Sequence, residues 1–150
     1  MKLLPPIAVL IALVLYAASF LHFYWALGGR WPARDEETLA RTVVGARGIR
    51  RMPSRGLTLF VSLAIFVAGM WPMFWTGQLG TPLPHWVLTV GMAVLAFVFL
   101  ARGIAGFTPM FRARHCEEPF ASLNRDYFTP LILIIGILFA ILLIVPWSAQ

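Results

Sequence analysis

Few residues in this sequence have side chains that could do chemistry, and most of the candidates fall in three stretches. The first begins at His22 and ends at Pro32, the second surrounds Arg102, and the third runs from Asn124 to Tyr127. An imidazole can act as acid, base or metal ligand, and a guanidinium binds carboxylates and phosphates. We hypothesise that the three stretches line one polar ligand pocket, formed by His22, Tyr24, Arg102, Asn124, Arg125, Asp126 and Tyr127.

The same residues complete no recognised catalytic or metal motif. No nucleophile has a matched base, and no Gly-Lys-Ser/Thr phosphate loop is present. We therefore predict no catalytic residue, no metal and no cofactor. The single Cys116 excludes an internal disulfide and a Cys-x-x-Cys redox pair, and with them a quinone-linked thiol oxidoreductase. One alternative stays open, a metal site drawn from His22, His115, Cys116, Glu117 and Glu118.

The composition predicts that membrane helices position these residues. Of 150 residues, 60% are hydrophobic and only 12% are charged, whereas about a quarter are charged in an ordinary soluble domain. The apolar residues form four blocks, each near the length of about 20 residues that crosses a bilayer as a helix. We predict an all-α, four-transmembrane-helix bundle that forms a single domain over 1–150, with spans at about 4–27, 57–75, 85–103 and 129–146.

The first block could also be a secretory signal peptide, because Ala17-Ala18-Ser19 resembles a cleavage site. Its apolar run continues to Trp25 and is too long for a signal core, which favours a span. After it, Asp35, Glu36 and Glu37 mark a helix start, and Leu39, Val43 and Ala46 fall on one stripe. The first loop is therefore predicted to contain a short interfacial helix.

The distribution of arginine predicts the orientation. The net charge is +6, and seven arginines lie in the first connection, three in the third and none in the second. By the positive-inside rule, loops 28–55 and 104–128 are cytoplasmic and both termini lie outside, although Lys2 opposes this. The tryptophans agree, since Trp25 and Trp31 mark one boundary and the others mark the opposite one, namely Trp71, Trp75, Trp86 and Trp147.

The predicted spans argue against two functions. His22 and His85 fall at opposite faces, about a membrane thickness apart, so they cannot share a haem. The span interiors contain no Asp, Glu or Lys, so the chain lacks the carboxylate that a small proton-coupled drug exporter requires. Arg102 ends the third span, and two interpretations remain: its side chain snorkels to the headgroups, or it pairs with Asp126 or with an acid of the first loop.

Three stretches resemble a family of small bacterial membrane proteins classed only as a domain of unknown function. They are His22-Phe-Tyr-Trp-Ala-Leu-Gly-Gly-Arg-Trp31, Arg102-Gly-Ile-Ala-Gly-Phe107 and Phe120-Ala-Ser-Leu-Asn-Arg-Asp-Tyr-Phe-Thr-Pro130. The resemblance covers nearly the whole chain and implies a four-helix protein of the bacterial inner membrane, with no established activity or ligand. The chain departs from the family pattern at Asn124, where relatives more often have an acid, which weakens any proposal of carboxylate catalysis there.

The sequence thus predicts a non-enzymatic membrane protein with a polar site at the cytoplasmic face. It would be an accessory subunit or would bind a lipid or other hydrophobic ligand. The alternative is a membrane enzyme or carrier that acts on a lipid or quinone, with His22 as acid or base and Arg102 holding an anionic headgroup. The expected partners are the bilayer, its anionic headgroups and either another membrane protein or a second copy of the chain. Nucleic acid is not expected, because the arginines lie in the loops of a membrane domain.

Overall fold

The fold is known from a computed structural model that describes residues 3–145. In this part of the chain every regular element is helical. The elements are α1 (Leu4–Ala26), α2 (Glu36–Val43), α3 (Arg55–Trp75), α4 (His85–Phe107), α5 (Pro109–Arg114), α6 (Phe120–Leu123), a π-helical turn (Asn124–Phe128) and α7 (Thr129–Ile144).

Four helices of the described chain are long and apolar enough to cross a membrane. They are α1, α3, α4 and the continuous segment Phe120–Ile144, which joins α6, the π-helical turn and α7. Large apolar side chains cover their outer faces; Phe60 is 67% exposed and Phe97 72% exposed, for example. Such surfaces need lipid around them. The chain is therefore a multi-pass membrane protein, as predicted. Pro146 and Trp147, expected to close the last span, lie outside the described residues, as does Lys2.

The bundle is built from two closely packed helix pairs, α1 with α3 and α4 with α7. In the first pair, Ser19 and Ser62 are buried and each hydroxyl donates to the backbone carbonyl oxygen of the other serine, at 2.8 and 2.9 Å. In the second pair, glycines bring the two backbones close. A Cβ added to Gly103 would lie 2.8 Å from Cα of Leu133, and one added to Gly136 would lie 2.7 Å from the backbone nitrogen of Leu100.

The seam between α4 and α7 explains why α4 extends past position 103, where the third span was expected to end. The helix continues to Phe107 through both Gly103 and Gly106. Glycine weakens an isolated helix, but both glycines are buried and face α7 or its first residue. Tertiary packing therefore outweighs the local preference.

A short helix does form in the first loop, as predicted. The carboxylate of Asp35 caps α2 by accepting the backbone N–H of Thr38 at 2.8 Å. The helix ends at Val43, before Ala46, because Gly45 adopts a left-handed conformation with φ +64° and its N–H donates to the carbonyl oxygen of Ala40.

The first and third loops meet at one end of the bundle. The backbone N–H of Arg47 donates to the carbonyl oxygen of Arg114 at 2.9 Å, and that of Gly48 donates to the carboxylate of Glu117 at 2.8 Å. Glu117 also forms an ion pair with Arg41 at 3.3 Å. The two arginine-rich loops thus form one layer, which we call the loop end of the bundle.

Two tryptophans at the opposite end connect helices. The indole N–H of Trp71 donates to the backbone carbonyl oxygen of Leu88 at 3.0 Å, and the indole N–H of Trp75 donates to the backbone carbonyl oxygen of Leu142 at 2.9 Å. Trp71 also fills the space left by Gly91 on α4. These side chains therefore stabilise contacts between helices in addition to lying near a span end.

Candidate polar site at the loop end of the bundle

Arg102, near the end of α4, is the centre of the polar site. Its side chain is half-buried, and one terminal nitrogen, Nη2, donates to Oδ1 of Asn124 at 3.0 Å. The guanidinium carbon lies 4.3 Å from the centre of the Phe111 ring, a cation–π contact with α5. The other terminal nitrogen, Nη1, is buried and has no hydrogen-bond partner in the described chain.

The π-helical turn brings Asn124 to this arginine. Asn124 is only 3% exposed, and its carbonyl oxygen accepts the N–H of Thr129, five residues on. Turns of this kind interrupt α-helices and are frequent at functional sites. A guanidinium can only donate hydrogen bonds, so the side-chain oxygen of Asn124, and not its amide nitrogen, must face Arg102.

Thr129 supplies a second buried polar atom without a partner. The residue is 0% exposed, and its hydroxyl oxygen makes no hydrogen bond in the described chain. Both this oxygen and Nη1 of Arg102 border Gly106: a Cβ at Gly106 would collide with the hydroxyl and lie 3.0 Å from Nη1. The side chain of Thr129 and the guanidinium of Arg102 thus occupy the space that a side chain at position 106 would need.

The site carries an uncompensated positive charge. All six carboxylates of the chain lie in the described part, and none forms an ion pair with Arg102 there. Five have other partners: Glu117 pairs with Arg41, Asp126 with Arg125, Asp35 caps α2, Glu36 accepts the N–H of Met52, and Glu118 accepts the hydroxyl of Ser122. An unpaired, partly desolvated guanidinium favours an external anion.

Of the two interpretations of Arg102, the one in which it pairs with Asp126 or with an acid of the first loop is wrong, because no such ion pair forms in the described chain. Asp126 pairs with its sequence neighbour Arg125, at 2.7 and 3.1 Å, and both side chains are exposed. Because Arg125 directly precedes Asp126, its guanidinium reaches the carboxylate whatever the fold. Asp126 therefore lies on the outer side of the turn, whereas Asn124 faces the interior. Tyr127 is 67% exposed and points away from the buried site.

His22 and Tyr24 lie apart from Arg102, so the predicted shared pocket divides into separate regions. Tyr24 is 44% exposed and its ring covers Gly29. His22 lines a cavity of about 170 Å³ whose walls come from α1, the first loop and α3. None of the other six predicted site residues lines that cavity. Among the seven, the structure thus joins Arg102 to Asn124 and, on the exposed surface, Arg125 to Asp126.

The residues of the alternative metal site are also dispersed. The ring of His115 stacks on Phe111 with centroids 4.1 Å apart, Cys116 is exposed, and Glu117 is held by Arg41. Among residues 3–145, no group of three or more His, Cys, Asp or Glu side chains lies close enough to hold a metal ion.

Sequence reasoning missed three residues of the polar site, namely Gly106, Phe111 and Thr129. Gly106 and Thr129 lie within the stretches that carry the family resemblance, but nothing local distinguishes them from ordinary helix residues. Phe111 lies in a short loop helix, and only the fold places its ring beneath Arg102.

Comparison with known proteins places the chain in a family. Searches of curated proteins and of solved structures each returned no match. A family model with the description "Protein of unknown function (DUF3995)" matches residues 13–139. This range contains Arg102, Asn124 and His22 and most of the four membrane helices. The chain therefore belongs to the DUF3995 family of proteins of unknown function.

Proposed function

We propose that this protein binds the anionic headgroup of an amphiphile, such as an acidic lipid, through Arg102 at the loop end of the bundle. One observation carries the proposal: Nη1 of Arg102 is buried and unpartnered in the described chain, and no carboxylate there compensates the charge. Positive-inside counting supports a cytoplasmic location for this end, because both arginine-rich loops meet there.

The contacts that Arg102 does make leave it able to bind an anion. Asn124 engages only Nη2, and Phe111 contacts the face of the guanidinium, which leaves the other N–H groups of the fork. Two such groups together match the oxygens of a phosphate or carboxylate. Simple snorkelling toward the headgroups would expose the nitrogens of Arg102 to water, whereas here Nη1 is enclosed beside Gly106 and Thr129.

The neighbourhood of Arg102 fits an amphiphile better than a free ion. Apolar side chains on the same segment are exposed, including Ile104 at 59% and Phe107 at 45%. These side chains would lie against acyl chains while the headgroup reaches the guanidinium. The proposed role is therefore ligand binding, and no step of covalent chemistry is assigned to these residues.

The test measures lipid retained by the protein in nanodiscs that contain phosphatidylglycerol and phosphatidylcholine. Native mass spectrometry after release from the disc counts the lipids that remain bound. Three proteins are compared: wild type, Arg102→Gln and Arg112→Gln. Arg112 is an exposed arginine of α5, so its substitution removes the same charge from the same end of the bundle.

We expect one phosphatidylglycerol to remain on the wild type and on Arg112→Gln, and its occupancy to fall about tenfold in Arg102→Gln, since hydrogen bonds to charged groups contribute about 1.5–3 kcal/mol. Inorganic phosphate added to discs of phosphatidylcholine alone separates the two sources of the anion. A rise in melting temperature with phosphate alone would indicate a site for the free ion. Equal losses in both variants, or no retained lipid on wild type, would refute the proposal, the second result favouring an accessory role.

A further inference from the structure

A second site lies between α1, α3 and the first loop, separate from Arg102. It is the cavity of about 170 Å³ introduced above, and we call it the His22 cavity. Its lining residues are His22, Trp25, Val43, Val44, Met52, Pro53, Leu57, Thr58 and Val61. For comparison, an engineered apolar cavity of about 150 Å³ in another protein holds benzene. The His22 cavity is thus large enough for one six-membered ring.

The hydrogen bond of His22 determines which nitrogen is free. Nδ1 lies 2.8 Å from the carbonyl oxygen of Ala18 in the preceding turn of α1. A carbonyl oxygen can only accept, so in the neutral ring Nδ1 carries the proton and Nε2 carries the lone pair. Nε2 makes no hydrogen bond in the described chain, yet it is not among the buried atoms without a partner. It is therefore an accessible hydrogen-bond acceptor.

The donors of the surrounding residues are already in use. The indole N–H of Trp25 donates to the backbone carbonyl oxygen of Trp31 at 2.8 Å, and the hydroxyl of Thr58 donates to the backbone carbonyl oxygen of Ser54 at 3.1 Å. The backbone N–H of Met52 donates to the carboxylate of Glu36 at 3.1 Å, and Pro53 has none. The walls of the cavity are thus mostly apolar, its lining residue His22 has a free acceptor, and the donors of the neighbouring polar groups are in use.

We infer that the His22 cavity binds a ring-sized apolar molecule that carries a hydroxyl group, of the phenol class, with the hydroxyl donating to Nε2 of His22. A site with an acceptor and no free donor discriminates by chemistry. A phenol can complete the hydrogen bond, whereas a ring that bears only an ether or a carbonyl cannot. The apolar part of the ligand would lie against the indole of Trp25, whose ring centroid is 5.0 Å from that of His22.

This inference does not rest on the proposed anion site, because the two regions use different helices and opposite ligand chemistry. Arg102 offers donors to an anion, while His22 offers an acceptor to a neutral molecule. Either site can therefore exist without the other, and the experiment below leaves Arg102 unchanged.

The test compares phenol with anisole, its methyl ether, which has the same ring but no donor. The protein is reconstituted in nanodiscs with ¹⁵N-labelled histidine, and each compound is titrated while the ring nitrogen resonances are followed. Empty nanodiscs provide the correction for partition into lipid. The resonances of His22 are assigned by their loss in His22→Leu.

We expect phenol to shift the Nε2 resonance of His22 in a saturable manner and to bind about fivefold more tightly than anisole. That ratio corresponds to one net hydrogen bond of about 1 kcal/mol. His22→Leu should reduce the ratio to about one, and Val61→Phe, which fills the cavity, should abolish binding of both compounds. The control His85→Leu changes the histidine at the other end of the bundle and should leave the ratio unchanged.

Three results would overturn the inference. Equal affinities of phenol and anisole for the wild type would show that no acceptor is used. An unchanged ratio in His22→Leu would show that the acceptor is another group. A shift of the His22 resonances that grows in proportion to the phenol dissolved in the lipid and never saturates would show that phenol merely partitions into the bilayer. The wild-type titration alone decides the first and third points, so the test stands even if a variant fails to fold.

Discussion

Replacing Asn124 by aspartate would put a carboxylate against Arg102 and should displace any bound anion. Asn124 is 3% exposed and its Oδ1 already lies 3.0 Å from Nη2 of Arg102, so aspartate needs no rearrangement to reach the guanidinium. The two side chains have nearly the same shape. The substitution therefore changes the charge of the site while its geometry stays the same.

The magnitude follows from Coulomb's law. Two unit charges about 4 Å apart attract each other by about 4 kcal/mol at an effective dielectric constant of 20. Desolvation of the new carboxylate removes part of this gain, by an amount that is commonly several kcal/mol for a buried ion. An anion that binds Arg102 must compete with the attraction between Arg102 and the new carboxylate that is left after this desolvation cost. We therefore expect Asn124→Asp to lower the occupancy of phosphatidylglycerol at least about tenfold.

The assay is the lipid count by native mass spectrometry described above, with two controls. Ala113→Asp adds the same negative charge at an exposed position of the loop end and should reduce occupancy less than about twofold, because exposed charges are screened. Asn124→Leu removes the hydrogen bond without adding charge and should leave the anion bound. Unchanged occupancy in Asn124→Asp, together with a loss in Asn124→Leu, would refute the electrostatic reasoning.

Two further predictions concern the fold. Gly103→Ala should destabilise the bundle by about 1–3 kcal/mol in a reversible unfolding assay in detergent, since its Cβ would lie 2.8 Å from Cα of Leu133, whereas Gly56→Ala, in open space, should have no such effect. The pKa of Asp35 is lowered because the backbone N–H and the hydroxyl of Thr38 donate to its carboxylate. Because the folded-state pKa is lowered, the cap contributes fully above the unfolded-state pKa and is lost as the pH falls through the folded-state pKa. The protection factor of the Thr38 amide proton, which corrects for the intrinsic pH dependence of exchange, should therefore fall only in that acidic range. Destabilisation by Gly56→Ala equal to that by Gly103→Ala, or an Asp35 titration at its ordinary value, would contradict these predictions.

The amino-acid sequence by itself determined that the chain is a four-helix membrane protein. A block of about 20 apolar residues crosses the lipid core, where no water can hydrogen-bond to the backbone. An α-helix solves this by pairing the backbone N–H and C=O groups within the one segment. The short helix of the first loop was equally local, because the Asp35 cap and the acids after it mark its start. Such features depend on neighbours in the chain and can be deduced without knowledge of the fold.

The sequence placed Arg102 and Asn124 among seven residues of one hypothetical pocket but could not say that these two form a direct contact. They are 22 positions apart, and their contact depends on a π-helical turn that sets which side chain of Asn124-Arg125-Asp126 turns inward. Ser19 and Ser62, 43 positions apart, were not singled out, although they join α1 to α3. Two small polar residues within apolar spans were the available signal.

Only the tertiary structure decided where each helix faces. A soluble helix shows its inner face by the alternation of apolar and polar residues, but α7 is apolar on all sides, so its sequence does not indicate how it is rotated about its axis. That rotation places Thr129 beside Arg102, and the packing of α1, α3 and the first loop forms the His22 cavity, which neither of these residues lines. Composition thus determined which residues enter the membrane, whereas helix rotation and loop packing determined which polar atoms remain free to bind a ligand.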